Sequence, residues 1–283
     1  MLLLLLLALA PAGTGFGQMT LWYFDVGETV GATARDEIIG EDAPPDRNVW
    51  WSTNAFGLLQ TNAANQASVG VAGASAGATN IGWVGPLSIG ATGSVNAAAF
   101  STTNRIDSAS AGARAWFTFG FVLPCTHEYR LETFLEGTPS LPFNYISFEG
   151  GGSLPLLLRT LPPDSGMATN SGRLAPGIHR LVADFAVNVT ASYGATASST
   201  AAYWLRLEVT PILPTLAIRR SGPDVVLSWT TNAAGFALFR TTNVVSTNWQ
   251  MTIWPTVIVG DEYTVTEPVT DEQRFYRLVA WSR

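Results

Sequence analysis

The sequence predicts an all-β protein: a large, jelly-roll-like β-sandwich followed by a second, smaller sandwich. Three observations carry that expectation. Apolar residues recur at every second position over long stretches, the connections between those stretches are rich in Gly, Pro and Asn, and no stretch of comparable length spaces its apolar residues as a helix would. The length of 283 residues admits one large β domain or two. Hydrophobic residues at 47% supply ample core, while 13% charged residues leave the surface to Ser, Thr, Asn and Gly.

The chain opens MLLLLLLALAPAGTGFGQ. Its apolar run, Leu2 to Ala10, has the length of a signal-peptide core and is too short to span a bilayer. Gly15-Phe16-Gly17 puts small residues where a signal peptidase cuts, so residues 1–17 are expected to be removed. The mature chain is then exported, to the extracellular space, the cell surface or the periplasm, without a membrane span. No Lys or Arg precedes the run, a departure from the usual basic start.

Residues 18–210 are the expected large domain. Asp36, Glu37, Glu41, Asp42 and Asp46 bring five carboxylates into one Gly- and Pro-containing segment. Calcium takes six to eight oxygen ligands, which makes these five the candidate metal ligands. Their spacing is not that of an EF-hand, and a solvated acidic loop is the simpler reading; no other cofactor is required. Residues 68–99 are dominated by Ala, Gly and Ser, side chains small enough to let two sheets approach closely or to leave a flat strand surface.

Alternation is cleanest in three later segments. Ala109, Ala111, Ala113, Ala115, Phe117, Phe119, Phe121 and Leu123 share one phase, as do Leu181, Ala183, Phe185, Val187 and Val189, and then Ala201, Tyr203, Leu205, Leu207 and Val209. Each predicts a long strand with one buried face and one wet face. Glu149–Pro155 and Leu161–Gly177 read as loops. Two prolines in Thr210-Pro211-Ile212-Leu213-Pro214 cannot both sit inside a central strand, so residues 211–214 are the expected linker. Beyond it, residues 215–283 hold six or seven short strand patterns, the mark of a small sandwich.

The segment SGPDVVLSWTTNAAGFALFRTTN, with Trp249, the TVTEP at Thr264 to Pro268 and the terminal RFYRLVAW, resembles a fibronectin type III-like module of exported bacterial proteins. The resemblance implies that Val225, Leu227 and Trp229 lie on a core strand and that Phe275, Tyr276, Arg277 and Leu278 close the sandwich. Such modules serve as spacers or attachment points. The preceding RLAPGIHRLVADFAVNVTASYGATASSTAAYWLRLEVTP is similar to the closing strands of PEP-CTERM-type exported β-sandwich domains. The sorting tail of those proteins is absent before Arg283, so only the architecture is carried over.

Chemistry-bearing residues are sparse. All 15 basic residues are Arg against 21 acidic ones, and the net charge of −6 argues against a nucleic-acid partner. Gly73-Ala74-Ser75-Ala76-Gly77 fits the G-x-S-x-G string, but glycines and a proline follow where the helix of a nucleophile elbow belongs. Cys125-Thr126-His127-Glu128 joins a thiol to one of only two histidines, at an expected turn; the lone cysteine forms no intrachain disulfide. Of ten tryptophans, Trp229 and Trp249 are expected in the core of the small domain. Trp116 and Trp204 fall on the polar phase of their strands, and one of Trp50 and Trp51 must point outward.

These features lead to an exported, non-catalytic protein for cell-surface or matrix interaction, its partner a surface protein or a glycan. A carbohydrate-binding protein using Trp50, Trp51, Trp116 and Trp204 is the sharper alternative. An accessory or catalytic part in polysaccharide degradation is the third, and would need paired carboxylates at a defined separation.

Overall fold

The computed structural model describes residues 20–36, 40–42, 44, 47–53, 57–69, 72–102, 107–138, 144–150, 155–161, 164–245, 248–269 and 273–280. The expected signal peptide lies outside them. Every regular element among them is a strand. The large unit begins with β1 (Thr20–Asp36), β2 (Gly40–Asp42), β3 (Arg47–Thr53), β4 (Gly57–Val69), β5 (Ala72–Val84), β6 (Ser88–Ser101) and β7 (Ser108–Leu123). It continues with β8 (His127–Thr138), β9 (Asn144–Glu149), β10 (Pro155–Leu161), β11 (Gly166–Leu174), β12 (Gly177–Ser192) and β13 (Thr196–Pro211). The small unit holds β14 (Ala217–Ser221), β15 (Asp224–Thr230), β16 (Phe236–Thr241), β17 (Gln250–Met251), β18 (Val257–Val259), β19 (Glu262–Pro268) and β20 (Phe275–Ala280).

Two antiparallel sheets face each other in the large unit. One runs β10-β9-β12-β7-β1-β2, with β3 also on β1; the other runs β11-β8-β13-β6-β5-β4. The late strands interleave with early ones: β12 lies between β7 and β9, and β13 between β6 and β8. This is long-range, Greek-key-like connection. The three alternating segments become β7, β12 and β13, and every residue of their apolar phases is buried. Part of the expected loop at 161–177 is instead the edge strand β11.

The interior changes character along its length. Near the small unit it is filled by Phe117, Phe119, Phe121, Phe148, Phe185 and Leu123; toward the other end it is lined by alanine. Ala32, Ala34, Ala63, Ala67, Ala74, Ala76, Ala97, Ala99, Ala109 and Ala111 are all at most 5% exposed. A methyl group closes an inter-sheet gap only if the sheets come near each other. Many Cα pairs between β1 and β4 or β5, and between β7 and β5 or β6, lie within 8 Å, against the roughly 10 Å usual for packed sheets.

Glycine opposite an aromatic is a second recurring device. Gly27 pairs with Trp116, Gly73 with Phe100, Gly90 with Trp83 and Gly93 with Tyr203 across adjacent strands. In each case the ring lies over the glycine: a Cβ on Gly90 would sit 1.8 Å from the Trp83 ring, and one on Gly27 would sit 2.1 Å from that of Trp116. Such pairing shields a glycine backbone that would otherwise weaken the strand.

The small unit is a four-stranded sheet, β14-β15-β19-β18, over a three-stranded one, β17-β16-β20. Leu227, Trp229, Leu238 and Val265 form its core. Trp249 is only half-buried, with the Arg277 guanidinium 4.2 Å from its ring centre. Glu267, 1% exposed, reaches from β19 to the opposite sheet, where it accepts from Arg240 at 3.4 Å and from the Tyr276 hydroxyl. Arg274 donates to it at 3.1 Å. The turn between β15 and β16 touches the large unit: Thr126 N–H donates to Ala234 O at 3.1 Å, and Gly235, at φ +89°, lies so close to Pro124 that a Cβ would come within 2.4 Å of its carbonyl oxygen.

Alanine is therefore required where the sheets are closest. Ala111→Leu is expected to destabilise the large unit by about 1–3 kcal/mol or more through overpacking. A denaturant midpoint equal to that of the parent chain would contradict the close approach.

Candidate functional site

The six-stranded sheet turns one face to the core, so the alternate residues of its strands form an outer face. On β13 the buried phase is Ala201, Tyr203, Leu205 and Leu207, which turns Ala202, Trp204, Arg206 and Glu208 outward. Cross-strand register then aligns Met167 of β11, Phe134 of β8, Trp204 of β13, Thr92 of β6 and Ile81 of β5 in one row. At about 4.8 Å per strand the row spans roughly 19 Å. The next row brings Trp83, over Gly90, beside Leu58. Met167 is 63% and Leu58 68% exposed, while Phe134, Trp204, Trp83 and Ile81 are half-buried. On this outer face the ring lying over Gly90 is half-buried rather than enclosed, so Trp83 is a flat platform.

One row to the other side, the surface becomes polar. A depression of about 360 Å³ is lined by Ser94, Asn96, Glu136 and Thr200, with Gly137 and Ala202. Thr79 and Ser94 share a hydroxyl hydrogen bond of 2.8 Å beside it. A charged ladder shares the row of Trp83 and continues past it: Glu132 faces Arg206, which pairs in turn with Gly90, while Arg130 contacts Glu132 at 2.6 Å and Arg206 contacts Glu208. Exposed pairs of this kind contribute about 0–1 kcal/mol each, but they leave the face with its cations neutralised.

Trp116 is on the opposite side of the sandwich. It projects from the outer face of the other sheet, over Gly27, with the Arg114 guanidinium 5.5 Å from its ring centre and held by a two-point bond to Asp184 at 2.5 and 2.8 Å. Trp116 and Trp204 therefore do not share a site. Trp50 and Trp51 stand on β3 opposite Gly27 and Val26; their side chains lie outside the described residues.

Of the five acidic candidates, Glu37 and Asp46 lie outside the described residues, as does the side chain of Asp36. The described part of the segment is paired strand: Asp36 pairs with Gly40, Glu41 with Arg35 and Asp42 with Ala34. Asp42 accepts from the Ser68 N–H at 2.9 Å. Among the described residues, no three potential metal ligands of the His, Cys, Asp and Glu types converge.

The other motifs are absorbed by the fold. Gly73–Gly77 lies within the extended strand β5, without the sharp turn a nucleophilic serine needs. Cys125 is buried, its Sγ 3.9 Å from His127 Nδ1, and burial pushes its thiol up to about 11, away from the reactive thiolate. Burial lowers His179, which bonds the Ala175 carbonyl through Nε2 at 3.0 Å.

One titratable group stands out inside. Glu28 is fully buried between the sheets, accepting from Thr61 at 2.6 Å through Oε1, while Oε2 has no partner. Nearby, Tyr203 donates to Asn80 at 2.7 Å and Asn80 donates to the Trp116 carbonyl, also at 2.7 Å. Burial raises the Glu28 carboxyl from 4.5 to about 7, against the lowering effect of its bonds from Thr61 and the Ala63 backbone. The chain as a whole matches no family model, and no curated protein matches it.

Sequence reasoning reached Trp204 but passed over Phe134, Trp83, Met167, Leu58, Asn96 and Glu136. The signal for Phe134 was present: in HEYRLETFLEGT it stands in the phase otherwise held by Glu128, Arg130, Glu132 and Glu136.

Between pH 4.5 and 7 the unfolded chain has released the Glu28 proton while the folded chain retains it. Stability therefore falls as pH rises through that window, on the order of 3 kcal/mol in all, and is level above it. Glu28→Gln is expected to remove this decline, which equilibrium unfolding at pH 5, 6, 7 and 8 would register. Parallel curves for variant and parent would contradict it.

Proposed function

We propose that the protein is an exported, non-catalytic β-sandwich protein of the cell surface or extracellular matrix, and that it makes contact through the outer face of its six-stranded sheet. The observation that carries this reading is the alignment of Phe134, Trp204 and Trp83 with Met167, Ile81 and Leu58 on one sheet face. Aligned apolar side chains on one side of a β-sandwich, next to a polar depression, are a contact surface. Export rests on the apolar run Leu2–Ala10 followed by small residues.

The non-catalytic reading takes account of three nucleophile or base candidates. Cys125 and His179 are buried, and the Gly73–Gly77 string lies within a strand. The small unit fits the spacer role of a fibronectin type III-like module. Its strand order, β14-β15-β19-β18 over β17-β16-β20, follows the A-B-E-D and C-F sequence of immunoglobulin-type sandwiches. Its contact at Thr126 and Gly235 fixes it at the phenylalanine-rich end of the large unit.

Immobilised protein offered to whole-cell envelopes and matrix preparations tests the reading. A Trp83→Ala/Trp204→Ala variant is expected to lose capture by about tenfold or more, the scale on which buried contact aromatics act. Trp116→Ala, on the opposite face, is expected to leave capture unchanged. Equal loss from Trp116→Ala, or none from the double variant, would contradict it.

A further inference from the structure

We infer that the ligand of this face is an uncharged polysaccharide chain, lying across the strands from β8 toward β5; this rests on the contact-surface reading above. Three features of the face define the chemistry. The first is the spacing of its rings. Phe134 and Trp204 stand on adjacent strands, and Trp83 lies two strands further, displaced by one row. A sugar ring has an apolar face of aromatic size and hydroxyls around its edge, so a chain of such rings meets successive platforms without needing a deep groove. A protein partner would instead favour a continuous apolar centre, whereas here Thr92 separates Trp204 from Ile81 and Arg206 shares the row of Trp83.

The second feature is the polar depression directly beside the platforms. Ser94, Asn96, Glu136 and Thr200 present hydroxyl, amide and carboxylate groups on the neighbouring rows of the same face. Thr92 lies between Trp204 and Ile81, its hydroxyl already donating to the Tyr203 carbonyl at 3.2 Å. The amide of Asn96 both donates and accepts, and the Glu136 carboxylate accepts. This is the complement that sugar hydroxyls require while the rings stack.

The third feature is charge. Arg130 and Arg206 are each paired with a neighbouring glutamate, and Arg173 at the β11 edge lies 3.9 Å from Glu128. A carboxylate, sulfate or phosphate group would have to compete with these glutamates for each of the three cations. Glu136 sits in the depression itself and repels an anionic chain, as does the net charge of −6. The face thus selects against uronate, sulfated and teichoic-type polymers.

The test uses the full chain in calorimetric titrations and retention gels. The probes are neutral β-glucan, mannan and xylan chains, polyuronate and a sulfated glycan, each also as oligosaccharides of increasing length. Binding to at least one neutral chain is expected, strengthening with length until the platforms are covered, with none to the acidic chains. Trp204→Ala is expected to weaken it about tenfold or more, and Trp204→Phe to restore most of it. Glu136→Gln is expected to relax the exclusion of polyuronate, a readout that a folding defect does not produce. Binding confined to acidic glycans, or no glycan binding alongside Trp204-dependent capture of a surface protein, would overturn the inference and leave the contact-surface reading standing. Loss of Trp204-dependent binding to every probe and preparation would overturn both.

Discussion

Close approach of two long sheets through alanine is the constraint on which the rest of the large unit depends. With one cysteine the chain has no internal disulfide, and it is held by packing alone. Alanine contributes little buried area per residue, so the contact must be extensive and the strands long; β1, β7, β12 and β13 each run 16 or 17 residues. Methyl groups also lose almost no side-chain entropy on burial, which favours such an interior despite its modest area. The phenylalanine-rich end supplies bulk where the small unit docks.

A packed apolar interior tolerates polar groups that find partners, and several here tie the two sheets together. Glu28 with Thr61, and Asn80 with the Trp116 carbonyl, cross the gap near the boundary between the phenylalanine and alanine regions. Arg159 crosses at the far edge, donating to Thr133 Oγ1 at 3.0 Å and to the Gly166 carbonyl at 3.1 Å. Glu267 has the same office in the small unit. One-residue slips of register would turn these groups outward and leave their partners across the gap unpaired, so the ties specify the pairing as much as they stabilise it. Glu28 is the least satisfied, because one carboxylate oxygen has no donor.

Strands and their buried faces were legible because alternation is a local property: Phe117, Phe185 and Leu205 could be placed in the core from their neighbours alone. Which faces meet was not, since Trp116 and Trp204 have the same local pattern and separate only when β7 and β13 join different sheets. The acidic segment read as a loop because Gly40 and the prolines suggested one, whereas the long strand β1 carries its pairing into Gly40–Asp42. Trp83 was hidden in a small-residue tract, and its exposure follows from Gly90 on the next strand. Glu28 has the phase of Val30 and Ala32, and it points inward.

The proposed contact surface lies on one side of the sandwich and not on the other. Oxidative footprinting of the full chain, free and bound to its captured envelope or matrix fraction, tests it most directly. Met167, Trp83 and Trp204 should be protected on binding, with Trp116 equally reactive in both states. Protection of Trp116 with Trp204 unchanged would contradict the account.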